Sequence, residues 1–483
     1  MIFNSIDFLI FFPIVTLCYF LIPHRFRWSL LLIASCIFYM SFIPQYILIL
    51  FLTIIIDYFA AIYIEKSKEE KKRKIFLTIS IISTIFILFI FKYFNFFNEN
   101  VAKIAQFIGW NYSLHSLSLI LPIGLSFHTF QSLSYVIEVY YGRQKAEKHF
   151  GIYSLYVMFY PQLVAGPIER PQNLLHQFYE KHNFRYTQFK EGLKLMIWGF
   201  FKKVVIANNL AIIVNLIYDK PQEYYGILLI IATIFFAFQI FCDFSGYSDI
   251  ALGAAQIMGF KLMINFNRPY YAKSISEFWR RWHISLSTWF KDYVYIPLGG
   301  NRVSVPRWYL NLFIIFLISG IWHGANWTFI IWGALHGIFM VIGIMTEKTR
   351  NKLNKFFRIY KIPAIHNLIK SIIVFIMVCF TWIFFRANKL TDAYYIITHM
   401  FTNIRLNINE IIFELGKLHI TKAYFIIMIL SILLMEIVHM IQEGVIKLNY
   451  KKIHNNPLSW IILILIILLF GGFNNIPFIY FQF

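Results

Sequence analysis

Charge is scarce in this chain, and acidic charge is the scarcest. Charged residues make up 14% of the sequence and hydrophobic residues 59%. So little charge over 483 residues excludes a water-soluble globular protein, whose surface needs more. Runs of about 20 apolar residues, enough to span a hydrocarbon core, recur instead. The sequence therefore predicts an all-α integral membrane protein, with residues 1–483 forming one polytopic membrane domain.

Cysteines are few and have no ligand spacing. They are scattered through apolar runs as Cys18, Cys36, Cys242 and Cys379. This pattern indicates neither a disulfide framework nor a zinc site, and we expect no bound metal and no resident cofactor. A basic n-region and a small-residue cleavage site are also absent around Phe8–Leu21, which predicts a retained first span.

Positive charge is in excess, with a formal net charge of +21. Lys and Arg lie between the apolar runs, as in cytoplasmic loops that face anionic lipid, and their distribution places the N-terminus outside. The apolar runs predict about 11 or 12 spans. These are Phe8–Leu21, Trp28–Phe42, Tyr46–Tyr63, Phe76–Phe97, Ser118–Tyr140, Lys194–Tyr218, Tyr225–Phe244, Tyr309–Gly324, Trp327–Ile344, Leu368–Phe385, Tyr424–His439 and Leu458–Phe470.

The middle of the chain is less regular. Tyr153–Val164 is apolar but too short to span, and the two prolines of Ala165–Pro171 break any helix that follows. We expect a re-entrant segment there, which is tolerated only when it is buried in protein or lines a wet cavity. Ile250–Arg307 mixes Arg, Trp and Tyr with apolar residues and should return to the cytoplasmic face.

His323 lies in the segment Ser319–Trp327, between long apolar runs. An ionisable side chain at membrane depth is costly to bury and is a functional candidate. Imidazole is also the side chain best suited to moving a proton near neutral pH. The neighbouring glycines allow close approach of backbone or substrate. The alternative is a histidine hydrogen-bonded to a neighbouring helix.

A second motif, Ser276–Tyr293, combines three tryptophans with several cations and His283. If it is helical, Trp279, Trp282 and His283 share one face and Arg280 lies to the side. The alternative is an interfacial belt of aromatic residues and arginines, which accounts for the Trp and Arg residues but poorly for the histidine.

A third motif, Gln239–Gly253, carries two carboxylates, Asp243 and Asp249, at the end of an apolar run. Buried carboxylates are expensive unless paired, and Arg268, Arg280 or Arg281 would be the partner. A structural ion pair is favoured over a catalytic role.

A fourth motif places His128 and Gln131 one turn apart on an apolar helix. We expect them to form hydrogen bonds between helices.

Five segments resemble the membrane-bound O-acyltransferase family, in its branch that acetylates bacterial polysaccharides. They are Leu121–Phe127, Leu163–Ile168, Asp243–Asp249, Phe278–Ser287 and Ser319–Gly324. The resemblance covers nearly the whole chain and implies a ring of helices around a narrow central tunnel. It implies that His323 is the family's principal histidine and His283 the second. His336, beyond the motif, is expected to be structural.

The resemblance implies acetyl transfer from a cytoplasmic thioester, acetyl-CoA, to hydroxyls of an extracytoplasmic polysaccharide. His323 would be the general base, and His283 would position the thioester or stabilise the oxyanion. Lys291 and Arg302, together with Arg280 and Arg281, would bind the phosphates of the donor. The expected substrate-binding residues are Trp282, Arg280, Arg281, Trp322, Asn326 and Asp243. A periplasmic partner with a Ser/His site and a location in the bacterial inner membrane are also implied.

Tyr480, in the aromatic C-terminal tail, is a candidate acyl relay, because the tail resembles the tyrosine-bearing C-terminal tail of the small partner protein in D-alanylation. An interfacial aromatic anchor is the alternative. Two other functions stay open. One is a polysaccharide or lipid-linked substrate flippase without acyl chemistry, which the lack of an inverted repeat disfavours. The other is an acyltransferase that acts on lipids.

Overall fold

The computed structural model describes residues 1–164, 166–358, 361–404, 416, 421–473 and 478–479. Across those residues the secondary structure is helical and contains no strand. They form two compact units, one of Met1–Met196 with Ile250–Ile264 and one of Ile197–Asp249 with Asn265–Gln482. The expectation of one membrane domain is not tested by this division and stays a prediction.

The first unit contains the N-terminal helices. They are α1 (Ile6–Leu21), α2 (His24–Met40), α3 (Ile47–Lys66), α4 (Glu70–Leu88), α5 (Phe94–Phe107), α6 (Leu125–Tyr140), α7 (Phe150–Met158), α8 (Tyr160–Leu163), α9 (Pro171–Leu174) and most of α10 (Tyr186–Phe200). A π-helical turn, Phe89–Tyr93, joins α4 to α5. Short 3₁₀ turns lie at Pro44–Tyr46 and Leu175–Tyr179.

The second unit contains the helices that carry the two histidine motifs. They are α11 (Asn208–Asp219), most of α12 (Ile227–Ile257), α13 (Ile275–Arg281), α14 (Ile284–Phe290), α15 (Val305–His323), α16 (Trp327–Met345), α17 (Glu347–Phe356), α18 (Pro363–Arg386), α19 (Leu390–His399), α20 (Lys422–Gln442), α21 (Tyr450–Asn455) and α22 (Pro457–Phe470). Two π-helical segments, Phe201–Ala207 and Lys291–Tyr295, follow α10 and α14.

Eight helices in the described ranges are long and apolar enough to cross a membrane. They correspond to eight of the predicted spans, and the all-α integral membrane fold is confirmed. The other four predicted spans are also helical but shorter. Their helices α1, α2, α6 and α22 have 16, 17, 16 and 14 residues.

The fifth predicted span begins too early. Helix α6 starts only at Leu125, after Gly124 adopts a left-handed φ of 77°. A side chain at Gly124 would also collide with the carbonyl oxygen of Leu163, so glycine is required at this helix start. The apolar residues 118–124 precede the helix.

The predicted re-entrant segment consists of α7 and α8, and its residues from Ile152 to Val164 are buried. Burial in protein is the condition under which a broken helix is tolerated at membrane depth. The interhelical hydrogen bonds expected of the fourth motif are present. His128 Nε2 lies 3.4 Å from Thr53 Oγ1, and Gln131 donates to the Tyr156 carbonyl.

Candidate active site

His323 is the last residue of α15, at the turn of a tight helical hairpin. A methyl group on Gly320 would meet the Phe329 carbonyl oxygen and Cα of Gly333, so small residues let α15 and α16 pack backbone against backbone. Gly324 faces the Phe329 ring in the same way. The expected close approach at the flanking glycines is therefore present, and it fixes the position of His323.

The His323 side chain is buried among aromatic rings. Its ring centroid lies 4.9 Å from Trp322, 4.9 Å from Trp332 and 5.3 Å from Phe385, all at steep angles. Aromatic walls this close limit the rotation of the imidazole. They also exclude bulk water, which strengthens electrostatic interactions at the ring.

The predicted helical face of the second motif is wrong, because the helix breaks before His283. Helix α13 ends at Arg281, Trp282 is extended, and His283 has a left-handed φ of 43°. Helix α14 starts at the next residue, Ile284. A non-glycine residue in the left-handed region is strained and is held by its surroundings. Trp282 and His283 therefore do not share a helical face with Trp279.

Asn265 fixes the tautomer of His283. The Asn265 side-chain oxygen accepts from the Ser285 backbone N–H at 3.2 Å and from the Ser285 hydroxyl at 2.9 Å. The same oxygen lies 3.1 Å from His283 Nδ1, so Nδ1 carries the proton and donates. Burial lowers the pKa of His283 to about 3, so the ring is neutral and Nε2 carries the lone pair.

Trp322 connects the two histidines. Its ring centroid lies 6.4 Å from that of His283 and 4.9 Å from that of His323. Trp322 and both imidazoles are buried. The fold thus brings the two histidine motifs, 40 residues apart in the chain (323 − 283), to one aromatic pocket.

His336 is used differently. The Trp279 indole N–H donates to His336 Nδ1 at 3.2 Å, and Nε2 lies 3.0 Å from Thr381 Oγ1. Because an indole can only donate, Nδ1 accepts and Nε2 carries the proton. Both ring nitrogens are engaged in hydrogen bonds within the fold, which agrees with a structural role.

The expected arginine partners of Asp243 and Asp249 are wrong. Asp243 pairs with Lys203 at 2.6 Å, and Asp249 pairs with Lys202 at 2.7 Å. Both lysines belong to the π-helical segment Phe201–Ala207, which packs on α12 at Gly246.

Paired in this way, the carboxylates can remain inside a helix, and α12 continues to Ile257 instead of ending near Phe244. Sequence reasoning missed Lys202 and Lys203. Two adjacent cations inside a predicted span were the signal, because charge at membrane depth needs a partner.

The arginines of the second motif differ in their partners. Arg281 pairs with Glu443 at 2.7 Å and with Glu277 at 2.9 Å, and Arg268 pairs with the same Glu443 at 2.6 Å. Arg280 is exposed and forms no ion pair within the part of the chain that the structure describes. Of the two neighbouring arginines, Arg280 is therefore the one available to a ligand.

A cavity of about 320 Å³ opens beside this motif. Arg280 and Lys291 contribute charge to its lining, and the rest is mostly apolar or aromatic. One face of α15 forms a wall from Trp308 to Ser319, and Ser319 lies one helical turn before His323. Among the described residues, no group of three or more His, Cys, Asp or Glu side chains is placed to hold a metal ion.

The remaining predicted site residues have identifiable contacts. Asn326 caps α16 by accepting from the Thr328 N–H, and it donates to the Asn388 carbonyl. Trp282 is buried and stacks on Phe278. Both are thus engaged in the fold, and a substrate contact for either stays a prediction. Tyr480 lies outside the described residues.

The fold and this pocket define a multi-pass membrane protein with two buried histidines at one site. Comparison with known proteins identifies its family. Residues 149–387 match the model of the membrane-bound O-acyltransferase family, MBOAT.

Three relatives extend the match. The probable alginate O-acetylase AlgI of Pseudomonas aeruginosa is 36% identical over 83% of this chain and 75% of its own length. The peptidoglycan O-acetyltransferase of Helicobacter pylori is 35% identical over 75% of this chain and 71% of its own. The teichoic acid D-alanyltransferase of Bacillus subtilis is 29% identical over 56% of this chain and 70% of its own length. The chain belongs to the MBOAT family and is a membrane-bound O-acyltransferase.

Proposed function

We propose that this protein transfers acetyl groups from cytoplasmic acetyl-CoA to hydroxyls of an extracytoplasmic polysaccharide, across the bacterial inner membrane. The observation that carries the proposal is the pair of buried histidines, His283 and His323, on one tryptophan. One of them, His283, has a fixed neutral tautomer with its lone pair on Nε2. A buried base beside a second imidazole suits proton removal from a hydroxyl nucleophile.

In the proposed step, His323 takes the proton of the acceptor hydroxyl while the hydroxyl oxygen attacks the carbonyl carbon of the thioester. The carbon–sulfur bond then breaks, an ester forms, and the CoA thiolate leaves and takes up the proton. Neutral His283 offers a lone pair at Nε2, so it is better suited to accept a hydrogen bond than to donate one to an oxyanion. We therefore assign His283 to orienting the hydroxyl that reacts.

The cavity beside α13 and α15 supports entry of the donor from the basic side. Arg280 and Lys291 suit the phosphates of CoA, and the apolar wall suits the uncharged arm that carries the thioester. The wall on α15 ends at Ser319, one turn from His323. An arm bound along this wall would point its thioester at the histidine pocket. Arg302 is exposed and would add charge on the same side.

The acceptor class follows from the relatives. One is named for O-acetylation of alginate and another for O-acetylation of peptidoglycan. Both acceptors are polysaccharides outside the cytoplasmic membrane, so we propose an alginate-like exopolysaccharide or peptidoglycan here. A polymer outside the bilayer needs a relay, and we propose a periplasmic partner with its own Ser/His site.

Tyr480 is a second candidate for the relay. If its hydroxyl carries the acetyl group, Tyr480→Phe abolishes polymer acetylation at unchanged protein level, because only that oxygen is lost. If Tyr480 is an interfacial anchor, Tyr480→Phe acetylates as the wild type does, because the ring remains. Mass spectrometry of the C-terminal peptide, in cells without the periplasmic partner, checks for an acetyl-tyrosine directly.

The function is tested with purified protein in proteoliposomes supplied with labelled acetyl-CoA on one side and polysaccharide with the partner on the other. We expect labelled ester on the polymer and release of CoA on the donor side. Transport of polymer without ester formation would replace the proposal with a flippase. Label recovered in lipid would identify an acyltransferase that acts on lipids.

A further inference from the structure

The C-terminal segment is anchored at two places, one on the π-helical segment Phe201–Ala207 with the start of α11 and one on Asp243 of α12. At the first, the Gly472 N–H donates to the Val204 carbonyl at 2.8 Å. The side-chain amides of Asn208 and Asn209 donate to the carbonyls of Gly472 and Phe470 at 2.7 and 2.9 Å. A π-helical turn shifts backbone carbonyls out of the regular α-helical hydrogen-bond pattern. A carbonyl displaced in this way can accept a hydrogen bond from another segment of the chain.

The second anchor is the buried Lys203–Asp243 ion pair. Asp243 Oδ1 lies 2.6 Å from Lys203 Nζ, and Oδ2 accepts from the Ile479 backbone N–H at 2.9 Å. Asp243 is 3% exposed, Lys203 1% and Ile479 2%. Each carboxylate oxygen therefore has its own partner, one on the π-helical segment and one on the C-terminal tail.

The tail reaches the histidine pocket through one aromatic contact. Phe478 packs on Tyr247 at 4.9 Å and on Phe244 at 5.5 Å between ring centroids. The Phe244 ring in turn lies edge-on to His283 at 4.6 Å. A displaced tail would remove the Phe478 contact from Phe244, which would keep its 4.9 Å contact with Phe266 but hold the His283 ring less tightly.

We propose that the Lys203–Asp243 ion pair is a docking site for the chain's own C-terminal segment, and that it holds residues 478–479 against the ring that supports His283. Asp243 is thereby a positioning residue that acts through the tail. The hydrogen bond from the Ile479 backbone N–H to one oxygen of the Asp243 carboxylate supplies the docking interaction, and Lys203 pairs with the other oxygen. The positioning half of this inference rests on the proposed function, whereas the docking half does not.

Removing Asp243 alone would leave Lys203 buried and uncompensated, and such a variant often fails to fold. The test therefore changes both partners. Lys203→Met with Asp243→Asn removes the charges but keeps an oxygen for the Ile479 N–H. Lys203→Met with Asp243→Leu removes the charges and the oxygen. The two double variants differ only in the acceptor atom and its amide.

Hydrogen exchange of the full-length protein in nanodiscs, read by mass spectrometry, measures docking without any need for activity. We expect the Asp243→Leu double variant to lose protection at Ile479 by about tenfold or more, as one hydrogen bond to a charged group would give. The Asp243→Asn double variant keeps part of that protection, because its neutral amide oxygen still accepts the Ile479 N–H. Wild-type protection in the Asp243→Leu double variant would overturn the docking site.

A second pair of variants leaves the ion pair intact. Ile479→Pro deletes the donated N–H, and Ile479→Ala keeps it while removing the side chain. Only Ile479→Pro is expected to release the tail and to lower polymer acetylation. Release of the tail with acetylation unchanged would overturn the positioning role. A wild-type protein without acetyltransferase activity would defeat the proposed function and leave the exchange comparison standing.

Discussion

Trp332 contacts two buried histidines at the same ring-centroid distance, 4.9 Å, and the surroundings of the two differ sharply. His336 lies within α16, and both of its nitrogens are bonded, to Trp279 and to Thr381. His323 lies at the end of α15, beside the tryptophan that also contacts His283. Burial alone therefore does not distinguish a structural histidine from a chemical one. Position in the fold does: His336 lies inside a helix and bonds to two neighbouring side chains, whereas His323 ends a helix beside the tryptophan that also contacts His283.

The first test of this comparison replaces each of the two histidines by alanine. We expect His323→Ala to lower acetylation by about 10²- to 10⁴-fold, the usual cost of losing a positioned general base. Acetyl ester content of the polymer, normalised to the amount of folded protein, is the measurement.

His336→Ala is the matched control, because it removes the same ring from the other contact of Trp332. It leaves a cavity and costs stability of about 2–4 kcal/mol, with activity per folded molecule near the wild-type value. Equal losses of activity in the two variants would break the comparison, because both histidines would then act only through packing.

The second test concerns the tautomer of His283. Asn265→Leu removes the oxygen that accepts from Nδ1, and we expect the maximal rate to fall by about 10- to 100-fold, as when other partners that fix a histidine are removed. Ser285→Ala is its control, because it removes the hydroxyl that donates to the Asn265 oxygen but leaves the hydrogen bond between that oxygen and His283. Full activity in Asn265→Leu would show that the tautomer does not matter.

Much of this site could be predicted from sequence. A lone imidazole and glycines that interrupt an apolar run predict His323 as a functional residue. The lengths of the two apolar runs around it predict the helical hairpin. His283 stood out because an interfacial belt does not require a histidine. Both motifs lie within short segments of sequence, so they can be recognised without knowledge of the fold.

The partners of these residues could not be predicted in the same way. Asn265 reaches His283 only because the chain breaks between α13 and α14, and a helical reading of the motif hides that break. Lys203 lies in what the sequence predicts as an ordinary apolar span, so the arginines are the more obvious partners for Asp243, whereas the fold pairs it with Lys203. Which residues pair across helices depends on the register in which those helices pack, and a single sequence does not specify that register.

Arg280 and Arg281 differ in whether the fold already engages their charge. Arg281 is held by Glu443 and Glu277, whereas Arg280 lines the cavity proposed for the donor. We expect Arg280→Met to raise the KM for acetyl-CoA by about twofold to fivefold without changing kcat, the range for an exposed charge pair. The effect should shrink at high ionic strength, because an exposed pair is screened.

Arg281→Met should instead lower thermal stability and leave the KM for acetyl-CoA unchanged. Burial raises the pKa of Glu443, but hydrogen bonds and charge from Arg281 and Arg268 outweigh it, and the net pKa lies below its ordinary value. A carboxylate with a depressed pKa contributes stability that is lost as pH falls through that value. Acidification should therefore reduce the stability difference between the wild type and Arg281→Met. A raised KM in Arg281→Met at unchanged stability would mean that Arg281 leaves its carboxylates to bind the donor, and engagement within the fold would no longer predict which charges are available.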